Sequence, residues 1–168
     1  MSGIGGGVAH FALQFALAVG AEVWVTSSSA EKIERAVALG AKGGFDYRDP
    51  DWPVRAAKSP GEFDVVIDSA GGDGFARLVD VTKSGGRVVF YGATRGNAAM
   101  PLRKVFWRQI SLLGSTMGSP DDWVAMTAQV TEHSLRPIVS ETFPLAQAAD
   151  AFALMERGEQ FGKIVVTM

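Results

Sequence analysis

Cysteine is absent from the 168 residues. That excludes disulfides, thiolate nucleophiles and thiolate zinc sites, and it fits a cytoplasmic location. Histidine is scarce: only His10 and His133 occur. His10 falls on an expected helix, where solvent exposure or packing suits it better than ligation. His133 closes another helix, where a cation is favoured beside the dipole. Neither marks a metal, so zinc is not supported. No apolar run approaches the roughly 20 residues that cross a membrane. The opening Met1-Ser2-Gly3-Ile4 has neither the charged nor the apolar region of a signal peptide. A large charge of one sign is also missing. The net charge of −2 argues against a nucleic-acid partner. The basic-aromatic cluster Arg103, Lys104, Phe106, Trp107 and Arg108 reads better as an amphipathic helix or docking surface. Gly-x-Ser-x-Gly never occurs, and no Ser-His-Asp arrangement can be argued.

What remains is glycine and a regular alternation. Twenty glycines cluster at element junctions without a period. Strands are expected at Val23–Val25, Gly44–Tyr47, Asp64–Asp68, Arg87–Tyr91 and Ile110–Gly114. The run Asp64–Asp68 reads as a strand buried on both faces. Helices are expected at Ala9–Val19, at Ala30–Leu39 with Ile33, Val37 and Ala36 inward, and at Phe75–Thr82, closed by Ser84-Gly85-Gly86. A short helix should open at Pro101. A longer one runs to about His133, capped by Ser119 with Pro120 next. The tail reads strand (Ile138–Phe143), helix (Leu145–Arg157), strand (Lys163–Thr167). This is an α/β chain with a Rossmann-like, doubly wound parallel sheet. Its ligand belongs at the carboxyl ends of the strands.

Gly3-Ile4-Gly5-Gly6-Gly7-Val8-Ala9 opens the first helix. A phosphate bridge needs backbone N–H groups, room for close approach and the positive end of a helix. The spacing is Gly3-x-x-Gly6-x-x-Ala9 rather than G-x-G-x-x-G, and a merely flexible glycine-rich terminus would look similar. No strand precedes the turn, so the chain reads as a fragment that starts inside a fold.

At the end of the next strand, dinucleotide sites for NAD place an acid on the ribose 2′-hydroxyl. This sequence has Thr26-Ser27-Ser28-Ser29, with Lys32 following. Hydroxyls and a lysine suit a 2′-phosphate, which a carboxylate would repel, so NADPH is expected. The serines also suit a helix cap, and one hydroxyl can cap while others face a phosphate. Asp64 and Asp68 sit four apart on a strand. A general base is conceivable at Asp68, but a polar strand end near the nucleotide fits better.

In order along the chain, the segments Gly3–Gln14, Gly20-Ala21, Thr26–Lys32, Leu39-Gly40-Ala41, Asp46-Tyr47-Arg48, Val66–Gly71, Gly85–Val89 and Gly162–Val166 resemble the medium-chain dehydrogenase/reductase superfamily. The quinone-reductase-like and zinc-type alcohol dehydrogenase branches are the most similar. The resemblance implies that Gly5, Gly6, Gly7 and Val8 form the pyrophosphate turn. It places Ser27, Ser28 and Lys32 on the 2′-phosphate and Tyr47 near the adenosine phosphate. Ser69 and Ala70 line the adenosine, and Tyr91, Gly92 and Ala93 lie beside the nicotinamide. Tyr47 and Tyr91 are equally readable as packed aromatics at strand ends.

Family members keep their catalytic apparatus, and any zinc, mainly in an N-terminal barrel-like domain. The resemblance thus divides the chain into a dinucleotide domain, 1–134, and a tail, 135–168, that returns toward the absent domain. The tail strands are expected to lack their usual partners, which leaves edges for a homodimer or other self-association. The expected function is the NADPH-binding half of an oxidoreductase acting on a carbonyl, quinone or enone, inactive alone. The alternative is a non-catalytic dinucleotide-binding sensor or interaction module. A methyltransferase also opens on a glycine turn, but wants an acid where Ser27 and Ser28 stand.

Overall fold

The computed structural model describes residues 1–168. Two compact units emerge, each assembled from several stretches of chain. The first comprises Met1–Gly3, Val25–Ala30 and Gly44–Met117. The second comprises Ile4–Trp24, Glu31–Gly43 and Gly118–Met168.

The first unit contains the parallel sheet. Strand β1 (Trp24–Ser27) pairs with β2 (Gly43–Asp46) as one group, and β3 (Phe63–Asp68), β4 (Thr82–Phe90) and β5 (Ser111–Gly114) lie side by side in that order as another. The β3–β4 and β4–β5 pairs are parallel, with Val66, Val88 and Leu112 in register. The backbone of Met1 and Ser2 joins the two groups. The Thr26 N–H donates to the Met1 carbonyl at 3.0 Å, and the Ser2 N–H donates to the Ile67 carbonyl at 2.9 Å. The position between β1 and β3 is therefore held by residues 1 and 2. The resulting order, with a reversal at that point, is that of the dinucleotide-binding fold. Helices α3 (Trp52–Lys58), α4 (Phe75–Asp80) and α5 (Leu102–Trp107) belong to this unit. Its core gathers Val25, Phe45, Trp52, Val66, Phe75, Val79 and Val88.

Three local readings need correction here. Val65 is 43% exposed, so β3 is not buried on both faces. Helix α4 stops at Asp80, and Ser84-Gly85-Gly86 lies inside β4 rather than closing the helix. Gly85 takes φ +75°, and the β3–β4 register shifts between Phe63 and Val65, which lets the strand begin early at Thr82. Helix α3, which the periodicity does not reveal, buries only Trp52 and Ala56, one turn apart.

The second unit contains α1 (Gly7–Ala18), α2 (Ala30–Ala38), α6 (Pro120–Glu132), β6 (Val139–Pro144), α7 (Ala148–Arg157) and β7 (Lys163–Thr167). Ser119 caps α6 as expected: its hydroxyl accepts from the Asp122 N–H while the Asp122 carboxylate accepts from the Ser119 N–H. On α2 the buried residue is Ala36, whereas Val37 is 44% exposed and points away from the core. β6 and β7 pair with each other in parallel as a two-stranded sheet, with α7 as the crossover between them. Ile4, Ala9, Leu13, Val23, Ala36, Ala151 and Phe161 form this unit's core.

Candidate functional site

The glycine turn lies in the second unit and is held by chain from the far end of the sequence. The Gly162 N–H donates to the Gly5 carbonyl at 3.1 Å, and Gly6 bridges to Gly162 in parallel sense. Gly6 is the N-cap of α1 and has no side chain to occupy the helix's first N–H groups. Those groups are the natural partners of an anion. Val8, 54% exposed, stands on the open side of the first turn.

Two lysines flank this turn. The Lys32 Nζ lies 3.1 Å from where a Cβ on Gly5 would stand. It donates to the Gly158 carbonyl at 2.6 Å, at the left-handed residue that ends α7. Burial first, and then the Arg35 charge, hold the Lys32 ammonium below its ordinary value. Lys163 crosses Gly7 so closely that a Cβ there would meet its Cε at 2.6 Å and its Nζ at 3.0 Å. Lys163 escapes sequence reasoning as a site residue. Only the spatial return of residues 160–163 to the glycine turn reveals it.

Behind the turn sits His10, 1% exposed. Its ring packs on Phe161 with centroids 4.1 Å apart, and the Arg35 guanidinium lies over the Phe161 ring, 4.2 Å from its centroid. Neither imidazole nitrogen makes a well-formed hydrogen bond, although the Ile4 carbonyl favours the protonated ring. Burial dominates, and Arg35 and Lys32 add to it, so the pKa falls below 6.5. A depressed histidine value means stability that is complete above about 6.5 and is lost as pH falls toward the folded value. The melting temperature should therefore decline as pH falls below about 6.5, and His10→Leu should flatten that part of the profile. An unchanged slope in the variant would remove His10 from the account.

In the first unit, the end of β1 carries no carboxylate. Thr26 Oγ1 accepts from the Gly3 N–H at 3.3 Å. Ser27 is buried, and its Oγ accepts from the Ser29 N–H at 3.1 Å, closing a local turn before α2. Ser28 is half-buried, and its hydroxyl is not used within the chain. Tyr47 is half-buried and its N–H donates to the Ser27 carbonyl at 3.4 Å, so the ends of β1 and β2 lie together.

Asp68, 1% exposed, accepts from the Ser2 hydroxyl and from the Gly71 N–H at 2.8 Å. Both carboxylate oxygens are thus occupied, and the residue braces the turn after β3. Ser69 and Ala70 sit in that turn, half-buried. Tyr91 donates its N–H to the Asp68 carbonyl at 3.0 Å, and a Cβ on Gly92 would stand 2.8 Å from the Ser69 carbonyl oxygen. Ser69, Ala70, Tyr91, Gly92 and Ala93 are thereby brought together at the carboxyl ends of β3 and β4. Asp64 is spent on Lys83 at 2.9 Å, and this partner holds its carboxyl below the usual range.

No group of three or more His, Asp or Glu side chains is arranged to hold a metal ion. No helix is long and apolar enough to cross a membrane.

A family model described as zinc-binding dehydrogenase matches residues 7–132. The zinc-type alcohol dehydrogenase-like protein YogA of Leptosphaeria maculans is 35% identical over 176 residues, which covers 99% of this chain and 49% of that protein. A zinc-type alcohol dehydrogenase-like protein of Schizosaccharomyces pombe is 31% identical, covering 96% and 49% respectively. Among solved structures, an NAD-dependent alcohol dehydrogenase is 36% identical with a TM-score of 0.90, over 99% of this chain and 50% of its own. The quinone oxidoreductase of Thermus thermophilus, solved also with NADPH, is 28% identical with a TM-score of 0.84, over 100% and 56%. The chain spans about half the length of the curated relatives it matches. With the sheet order, the glycine turn and these matches in agreement, the chain belongs to the zinc-binding dehydrogenase family of the medium-chain dehydrogenase/reductase superfamily.

Proposed function

We propose that this chain holds NADPH for an oxidoreductase that transfers a hydride between NADP(H) and a carbonyl, quinone or enone. The observation that carries the reading is the hydroxyl-rich, carboxylate-free end of β1. Named relatives include an NAD-dependent alcohol dehydrogenase and a quinone oxidoreductase in complex with NADPH. Both cofactor forms occur around this chain, so its own residues must decide.

When bound, the nicotinamide ring supplies the hydride chemistry. The chain's part is to bind and orient. The N–H groups of Gly5, Gly6, Gly7 and Val8 take the diphosphate, with Lys163 adding a charge. Ser27, Ser28 and Lys32 take the 2′-phosphate, and Tyr47 stands near the adenosine phosphate. Ser69 and Ala70 line the adenosine, and Tyr91, Gly92 and Ala93 the nicotinamide. The zinc of the family's description has no donor set among these residues, and no step is assigned to it. The exposed Leu145, Phe152 and Met155 fit a tail, 135–168, that meets the other half of a longer protein. Self-association, including a homodimer through free strand edges, is part of the same proposal.

The two lysines should separate by cofactor. Lys163→Ala should weaken NADPH and NADH equally, by about 1.5–3 kcal/mol, because both carry the diphosphate. Lys32→Ala should weaken NADPH on the same scale and spare NADH, which lacks the 2′-phosphate. Equal losses at Lys32 would remove it from the 2′-phosphate. Turnover assays with quinones, enones and alcohols test the enzyme reading. Activity in an upstream-extended chain and not in residues 1–168 is the expected outcome. Inactivity of both supports a non-catalytic binding module instead.

A further inference from the structure

Tyr47 is approached by two arginines from other elements of the first unit. Arg77 of α4 donates to the Tyr47 carbonyl at 3.3 Å. Arg95, in the loop after β4, lies over the Tyr47 ring, its guanidinium carbon 5.0 Å from the centroid. The loop reaches that far by folding across the turn after β3. The Arg95 N–H donates to the Ala70 carbonyl at 2.8 Å, and the Gly72 N–H donates to the Gly96 carbonyl at 2.9 Å. The approach requires glycine at 71 and 72. Both have φ near +60°, and a Cβ on either would stand within 2.9 Å of the Arg95–Gly96 backbone.

Neighbouring charges are already matched. Arg48 holds Asp46 at 2.7 Å, and Arg55 holds Asp49. Arg95 forms no ion pair, is exposed, and is oriented only by the face of an aromatic ring. That ring's backbone is bonded to Ser27, beside the unused hydroxyl of Ser28. An unpaired guanidinium presents a planar fork of donors that matches a phosphate monoester. The hold of an aromatic ring on an exposed cation is weak by comparison, so a phosphate can draw the guanidinium toward it.

We propose that Arg95, aligned by Tyr47, is a specificity-determining residue that recognises the 2′-phosphate of the cofactor's adenosine ribose. The proposal rests on the NADPH reading and supplies a cation from the same unit as Ser27 and Ser28.

The test is calorimetric titration of the full chain with 2′,5′-ADP and with 5′-AMP, which differ by the 2′-phosphate alone. The wild type should bind 2′,5′-ADP at least about tenfold more tightly, the scale of one charge-assisted contact. Arg95→Ala should erase most of that ratio while changing 5′-AMP affinity less than about twofold, and Arg95→Lys should fall between, keeping charge but losing the fork. Circular dichroism of each variant checks that the exposed substitution leaves the fold intact. A preserved ratio in Arg95→Ala, or equal loss for both probes, overturns the role of Arg95 and leaves the NADPH reading standing. No preference in the wild type overturns both.

Discussion

Gly162→Ala is expected to destabilise the protein by about 3–5 kcal/mol and to lower its melting temperature by roughly 10 °C. Gly162 is buried, with φ +110°. A Cβ there would run into the Ile138 carbonyl oxygen and meet its carbon at 3.0 Å. That oxygen is fixed, because it accepts from the Lys163 N–H at 2.8 Å. Neither backbone can yield without breaking the contact that brings residues 160–163 to the glycine turn. Gly158→Ala is the control. It too has positive φ, +65°, but nothing lies within 4 Å of its Cβ position. Its cost should be about 1 kcal/mol, the conformational penalty alone. Urea denaturation followed by circular dichroism compares the two. Equal stabilities would contradict the close approach at Gly162. Where Gly162→Ala still folds, it should also bind cofactor poorly, since the same strand start carries Lys163.

Asp68→Ala is expected to cost about 3–5 kcal/mol through unsatisfied groups rather than lost packing. The change strands the buried Ser2 hydroxyl and the Gly71 N–H together. Asp68→Asn retains one acceptor and should cost roughly 1–2 kcal/mol. Ser2→Ala should cost less than Asp68→Ala, because it leaves the carboxylate its Gly71 donor. If Asp68→Ala proves as mild as Ser2→Ala, Asp68 is not the brace of the turn after β3. Its second effect should be on binding. That turn carries Ser69 and Ala70 and supports the loop of Tyr91, Gly92 and Ala93.

Elements with strong local signals were legible in the sequence. Helix α2 and strand β7 have apolar spacing and clear stops, and the Ser119-Pro120-Asp121-Asp122 start of α6 satisfies its own first N–H groups. Readings failed where tertiary contact overrides local pattern. Helix α3 has Pro53 in its first turn and an exposed Val54, so its core contribution reduces to Trp52 and Ala56. Val37 looks like an inward residue by spacing, but the close packing of α2 is made by the small Ala36. Thr82 begins β4 while its hydroxyl still donates to the Leu78 carbonyl of α4, a hand-over that Ser84-Gly85-Gly86 disguises as a helix stop.

The proposed site divides in the same way. The glycine turn and the serines of β1 stand out in the sequence because the chemistry proposed for them is local: N–H groups at a helix start, hydroxyls at a strand end. Lys163 and Arg95, proposed from the structure, do not. One reaches Gly7 from more than 150 residues away, and the other reaches Tyr47 from a different strand's loop. Their signal is spatial, and residue spacing carries none of it.

Calorimetric titration of the purified chain, with NADPH and then with NADH, tests the central claim most directly. The account predicts saturable binding of both, with NADPH clearly tighter. Equal affinities, tighter NADH, or no binding of either would contradict it.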